Sequence, residues 1–234
     1  MDTDESLKGS KPPTNQAKAS KGKPLIRKLG TVDCDMVETT PIVFHGRLYR
    51  FEYVRANYKP NKTGASYFRL LDVESGEPTP AFARDNHLGS AYVQDDNVFV
   101  YGVNAWGGSR IQVFWSKDLK TWSSLPALTK PGWGIYNNSV CKGRERYVMA
   151  IELGEPPEEV GVPYTMRFAE SDDLIYWRFT SSECIYSKDR YTACPALRFL
   201  DDHYYMIYLE QTGPWTFEPY IVRSRGLVHW QSSP

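Results

Sequence analysis

Ser116-Lys117-Asp118-Leu119-Lys120-Thr121-Trp122 returns as Ser171-Asp172-Asp173-Leu174-Ile175-Tyr176-Trp177, and again as Ser224-Arg225-Gly226-Leu227-Val228-His229-Trp230. The tryptophans recur after 55 and 53 residues. A spacing this regular, with strand-like text inside each unit, marks a propeller or a solenoid. In a propeller, successive blades aim side chains at one central pocket, so the repeat also says where to look for a site.

Working outward, each motif follows an apolar, aromatic-rich run: Ile111 to Trp115, Tyr164 to Phe168 and Tyr220 to Arg223. Alternation and β-branched or aromatic residues make these strands. Further upstream lie paired runs joined by polar turns. Ser90 to Gln94 turns at Asp95-Asp96-Asn97 into Val98 to Tyr101. Asn138 to Cys141 turns at Lys142-Gly143-Arg144 into Arg146 to Ile151. Pro195 to Leu200 turns at Asp201-Asp202 into Tyr204 to Tyr208. An earlier copy, Pro41 to Phe44 turning at His45-Gly46 into Arg47 to Phe51, lacks the Trp motif. Asp, Asn and Gly turns between alternating runs are hairpin signals. The expected fold is all-β, with four blades, each an antiparallel meander.

Composition agrees. The chain of 234 residues is long enough for one sizeable domain, and its 14% aromatic content, with 7 Trp and 16 Tyr, suits stacked sheets or a sugar-binding surface. Lys and Arg number 28 against 28 Asp and Glu, a balance that argues against a nucleic-acid partner. No apolar run approaches the length of a transmembrane helix, so no membrane association is expected. Residues 1–24, rich in Lys, Ser, Pro and Thr, are too poor in large apolar side chains to fold and are expected to be disordered, with the propeller domain at 25–234. No secretory leader is read there, which leaves a cytoplasmic location by default. Cys34, Cys141, Cys184 and Cys194 have no metal-ligand spacing and are expected as free thiols. Neither a metal nor a cofactor is implied.

Blades ending in Ser-x-Asp-Leu-x-x-Trp, with Pro-started inner strands such as Thr40-Pro41 and Cys194-Pro195, resemble the five-bladed β-propeller glycoside hydrolase superfamily of families 32, 43, 68, 117 and 130. The resemblance covers about residue 30 to the C-terminus. It implies carbohydrate as substrate or ligand and carboxylates lining a central funnel. Where family 43 has Asp-Pro and Glu-Gly-Pro, this chain reads Thr40-Pro41 and Ala193-Cys194-Pro195, with Asn137-Asn138-Ser139 between. The family's usual acids are absent from those places. A fifth unit is also missing before Ser233-Pro234, although Leu25 to Val32 could supply one outer strand. An incomplete ring would expose two blade faces and favour self-association.

Acidic and polar residues end the second strand of each hairpin: Glu52, Asn104, Glu152 and Glu210. In an antiparallel pair that end lies beside the start of the first strand, near Glu38, Asn138 and Cys194. Ordinary ion pairing between blades would explain the glutamates equally well. Glycoside hydrolysis needs a protonated carboxylic acid and a carboxylate base or nucleophile. Glu38 is the expected base or nucleophile, with Glu152 and Glu210 as candidate acids. His87, Trp106, Trp133 and Arg190, together with Glu52, Asn104 and Asn138, are candidates for substrate binding. The reading is a glycoside hydrolase-like protein that cleaves glycosidic bonds or descends from one that does. Its alternatives are a non-catalytic carbohydrate- or protein-binding propeller, and a glycoside phosphorylase using Arg190 with Arg55.

Overall fold

The computed structural model describes residues 37–59 and 61–232, and what they form is four antiparallel sheets in chain order. The N-terminal expectations, disorder to residue 24 and an outer strand over 25–32, lie outside the described residues, as does Cys34. Blade 1 holds β1 (Val37–Phe44), β2 (Arg47–Val54) and β3 (Tyr67–Asp72), and bridges from Phe68 to Phe82 and Leu71 to Pro78 stand in for a fourth strand. Blade 2 holds β4 (His87–Gln94), β5 (Asn97–Val103), β6 (Arg110–Ser116) and β7 (Ser123–Thr129). Blade 3 holds β8 (Gly134–Lys142), β9 (Tyr147–Glu155), β10 (Thr165–Ser171), β11 (Arg178–Phe179) and β12 (Ile185–Tyr186), with the short helix α1 (Pro157–Val160) in its β9–β10 loop. Blade 4 holds β13 (Thr192–Leu200), β14 (His203–Gly213), β15 (Thr216–Ser224) and β16 (Gln231–Ser232). The innermost strands β1, β4, β8 and β13 pack side by side in that order.

The hairpins form where the chain can turn left-handed. His45-Gly46 and Asp201-Asp202 have positive φ at both turn residues, the twist that matches two-residue connections between right-twisted strands.

The blade-ending motif is a hydrogen-bonded knot. Ser116 Oγ accepts the N–H of Leu119 at 2.9 Å, and Asp118 Oδ1 accepts those of Lys120 and Thr121. Ser171 and Asp173 repeat the pattern at Leu174, Ile175 and Tyr176. In the third copy Gly226 replaces the aspartate, and Ser224 alone binds Leu227 N–H. Leu119, Leu174 and Leu227 sit at φ 60°, 67° and 66°. A left-handed leucine costs about 1–2 kcal/mol, but burying a leucine side chain returns about 1.5–3 kcal/mol. All three leucines are buried.

The motif tryptophan then reaches back to the preceding blade. Trp122 stacks on Phe82 at 3.8 Å, Trp177 meets Tyr101 edge-on at 5.6 Å, and Trp230 stacks on Phe168 at 5.4 Å. Tyr101 also donates its hydroxyl to Leu174 O across the same interface. The core therefore lies between blades, and the sheets at the two ends of the series have one face with no blade against it among the described residues. Blade 1 shows the cross-strand pair Val43 and Leu48 on that side, and blade 4 shows Ile207 and Ile221, all exposed.

If the tryptophans are the inter-blade staples, Trp177→Ala should cost about 3–5 kcal/mol of stability, as large-to-small core changes do. Trp106→Ala, at a ring that is 59% exposed, should cost far less. Denaturant midpoints of the two variants decide it; equal shifts would refute the staple role.

Candidate functional site

Each inner strand starts with a β-bulge, between Val37 and Thr40, His87 and Ser90, Ile135 and Asn138, and Ala193 and Ala196. Bulges put an extra residue into the strand and re-aim its side chains. Glu38, Leu88 and Cys194 take positive φ there (51°, 52° and 54°). Beyond the bulges the strands are stitched by side chains. Ser90 Oγ donates to Asn138 Oδ1 at 2.6 Å, Asn138 Nδ2 donates to Leu88 O, and Ser139 Oγ accepts Leu197 N–H at 3.0 Å. They enclose a funnel of about 260 Å³ lined by all four inner strands.

One hairpin differs from the others in length, and this decides which face its glutamate occupies. In blades 1, 2 and 4 four residues separate the bulge from the last pair before the turn. In blade 3 the ladder runs one step further, to Gly143, whose N–H donates to Arg146 O at 2.8 Å. A one-residue slip sends every side chain of a strand to the opposite face. Glu152 is consequently on the face of blade 3 turned toward blade 4, with Ala150 and Phe168. Glu52 is on the face of blade 1 turned away from blade 2, whereas Phe51 and Phe68 press against Gly89. Counted back from the turns, Tyr53 holds the register in blade 1 that Glu152 holds in blade 3.

Glu152 is 3% exposed. Its Oε2 accepts the Cys194 N–H at 2.7 Å and Asn137 Nδ2 at 2.9 Å. Burial pushes this carboxyl up to about 7 despite those two bonds. Glu38 is likewise pushed up to about 7, by burial first and then by the charge of Glu152, with Arg55 pulling the other way. Glu38 lines the funnel, and Glu152 lies behind its Asn137 and Cys194, close enough for its charge to act on Glu38. Three polar atoms around them are buried without a protein partner: Glu38 Oε2, Asn137 Oδ1 and Arg55 Nε. Buried polar atoms are normally bonded, and those left open in a pocket suit a ligand. Tyr53 Oη and His87 Nδ1 share a hydrogen bond of 2.8 Å beside Glu38. Burial and the Glu38 charge push the Tyr53 phenol up to about 12, and burial lowers His87, keeping both neutral. The Cys194 thiol, open to the funnel yet recessed among protein groups and next to both glutamates, is pushed up to about 12 and stays protonated.

The remaining residues nominated from sequence are spread out. Glu52 is clasped by Arg50 (2.6 Å) and Arg69 (2.6 Å). Glu210 accepts Tyr208 Oη at 2.9 Å and faces Arg190 Nη1 at 3.9 Å, and Arg190 also holds Asp189. Asn104 Oδ1 accepts Arg110 N–H and shapes the β5–β6 loop. Trp133 packs on Phe179 at 4.8 Å with Lys130 and Arg167 over its ring. Trp106 stands at the rim, edge-on to Tyr136 at 6.0 Å. Asn138 lines the funnel as part of its stitching. Sequence reasoning left Asn137 and Tyr53 out of the site; counting residues back from each hairpin turn, rather than forward from its prolines, would have aligned Asn137 with Glu38 and Cys194.

Both funnel carboxyls rise from 4.5 to about 7, so between those pH values the folded chain holds protons that the unfolded chain has released. Their contribution to stability is therefore full below pH 4.5 and is lost as pH rises through about 7. Glu152→Gln should melt at a higher temperature than the parent at pH 8, and the difference should vanish toward pH 4.5. A difference that is the same at both pH values would contradict the buried-carboxyl account.

No family model matches the chain, and no curated protein matches it in sequence. Among solved structures it is similar to the Bombyx mori GH32 beta-fructofuranosidase, with TM-score 0.62 and 13% identity over 84% of this chain and 48% of that one. It is similar to an alpha-L-arabinofuranosidase of Fusarium graminearum in complex with an iminosugar inhibitor, with TM-score 0.61 and 15% identity over 84% and 64%. A GH43 alpha-L-arabinofuranosidase of Clostridium thermocellum follows, with TM-score 0.59 and 12% identity over 84% and 71%. The chain spans about half the length of the fructofuranosidase. Its fold is a β-propeller like those of these enzymes, and four blades of it are described.

Proposed function

We propose that the funnel binds a glycoside and hydrolyses it with Glu38 and Glu152. The observation that carries this reading is the pair of interacting carboxyls, both raised to about 7, one lining the funnel and one directly behind its Asn137 and Cys194, with unpartnered polar atoms around them. Cleaving a glycosidic bond requires a proton for the leaving oxygen and a carboxylate that attacks the anomeric carbon or activates water. Glu152 suits the first role. Its Oε2 is occupied by Cys194 N–H and Asn137, which leaves Oε1 to carry the proton. Glu38 suits the second, because Arg55 favours its ionised form. Groups that titrate near neutrality can exchange protons in both directions at pH 7. The arabinofuranosidase and fructofuranosidase neighbours make furanosides the first substrates to try.

Aryl furanosides and pyranosides, and the matching oligosaccharides, should be assayed with the parent chain, Glu38→Gln and Glu152→Gln. Glu38→Gln should lower turnover about 10²–10⁴-fold on every substrate, the usual span for a positioned acid or base. Glu152→Gln should lower it as much on oligosaccharides but much less on a nitrophenyl glycoside, whose leaving group needs no proton. The parent's kcat/KM should peak near neutral pH. Unchanged turnover in either variant removes that residue from the mechanism. Binding without turnover favours the non-catalytic alternative, and a requirement for inorganic phosphate favours phosphorolysis, for which the unpartnered Arg55 Nε would be the anchor.

A further inference from the structure

The funnel has two chemically different halves. On the side of Glu38 stand Tyr53 and His87, hydrogen-bonded to each other, and Arg55, whose charge acts on the carboxyl. On the side of Glu152 the rim is aromatic. Trp106, Tyr136, Tyr164, Tyr191 and Phe217 follow one another with centroid separations of 6.0, 5.0, 5.2 and 5.5 Å. These rings come from the ends of blades 2, 3 and 4, and the chain ties them to Glu152. Tyr136 precedes Asn137, which bonds Glu152 Oε2, and Tyr191 lies three residues before Cys194, whose N–H bonds the same oxygen. The seat of Tyr136 is specific: a Cβ on Gly154 would lie 2.7 Å from its ring, and one on Gly107 2.8 Å from its hydroxyl.

Packing alone accounts for the three half-buried tyrosines in the middle of the arc. It does not account for the ends, where Trp106 is 59% and Phe217 42% exposed. Trp215, at the tip of the same β14–β15 hairpin as Phe217, is 91% exposed. Large aromatic rings presented to water at one rim mark an interaction surface. Its position beside the carboxyls, and the open polar atoms between them, indicate a ligand that is polar at its edges and apolar on its faces, as a sugar ring is.

We propose that this aromatic arc binds the leaving-group side of a glycan chain, so that the substrate is an oligosaccharide or polysaccharide and its departing portion lies against Trp106, Tyr136, Tyr164, Tyr191 and Phe217. The inference rests on the reading of the funnel as a glycosidase site. In that reading the acid delivers its proton to the leaving oxygen, so the departing sugars lie on the acid's side, which is the aromatic side. The sugar retained until the bond breaks lies among Tyr53, Arg55 and His87, where hydroxyl groups find partners.

The test compares an aryl monoglycoside with oligosaccharides from disaccharide to pentasaccharide, on the parent chain, Trp106→Ala and Phe217→Ala. Both substitutions fall at exposed rings and should leave the fold intact, which the melting curve checks. In the parent, kcat/KM should climb with chain length. Each variant should lose about tenfold on the longest substrate, the effect of one aromatic contact, and progressively less as the chain shortens. A parent indifferent to length, or a loss of the same factor at every length, overturns the arc while leaving the Glu38 and Glu152 assignment standing. Unaltered turnover in Glu38→Gln and Glu152→Gln overturns that assignment instead. Calorimetric titration of the same oligosaccharides reads the arc without any chemistry: affinity should grow with length and fall in both variants, and a flat series overturns the proposal.

Discussion

Blade-to-blade burial is the constraint on which the rest of this protein depends. A single four-stranded meander has two faces and cannot cover either alone, so each blade is stable only against its neighbour. The Ser-x-x-Leu-x-x-Trp ending provides that contact. Hydrogen bonds to the serine hold a leucine in a left-handed turn, the leucine's burial offsets the strain, and the turn throws the tryptophan onto the previous blade. The three tryptophan contacts join successive sheets, whose inner strands β1, β4, β8 and β13 meet around one funnel.

The funnel is where the structure works against its own stability. Glu38 and Glu152 are withdrawn from water without a full complement of partners, and the charge of Glu152 raises the cost of ionising Glu38. A stability-driven design would pair them as Glu52 is paired, between two arginines in a buried site. The contrast between these glutamates separates two uses of buried charge. Glu52 is held between two arginines, whereas the funnel pair is left poised near neutrality, the condition that acid–base chemistry needs.

Asymmetry across the funnel follows from which blades meet there. Blade 1 brings a tyrosine, an arginine and, with blade 2, a histidine, all polar. Blades 2 to 4 bring rings that touch edge to face around their upper loops. The end faces of blades 1 and 4 are a separate matter, since their exposed valine, leucine and isoleucine pairs lie on the flat of the sheets rather than at the rim.

The blade plan was legible in the sequence because its causes are local. Strand alternation, Asp-Asp and His-Gly turns, and the thrice-repeated motif all act within a dozen residues, and they place the hairpins where the structure has them. Glu38 and Glu152 were also legible as residues near the bulged ends of their hairpins. The sequence could not tell Glu152 from Glu52 or Glu210, because which face a strand residue occupies depends on register. One additional step in the β8–β9 ladder, invisible in the alternating text, turns Glu152 toward blade 4 and its Cys194 N–H. Asn137 and Tyr53 were missed for the same reason: their neighbours in the site come from strands far away in the chain. Local chemistry thus determined the strands, the turns and the repeat. Tertiary packing decided which carboxyls are buried, what they touch and which half of the funnel is aromatic, because burial and orientation are properties of neighbours that only the assembled blades supply.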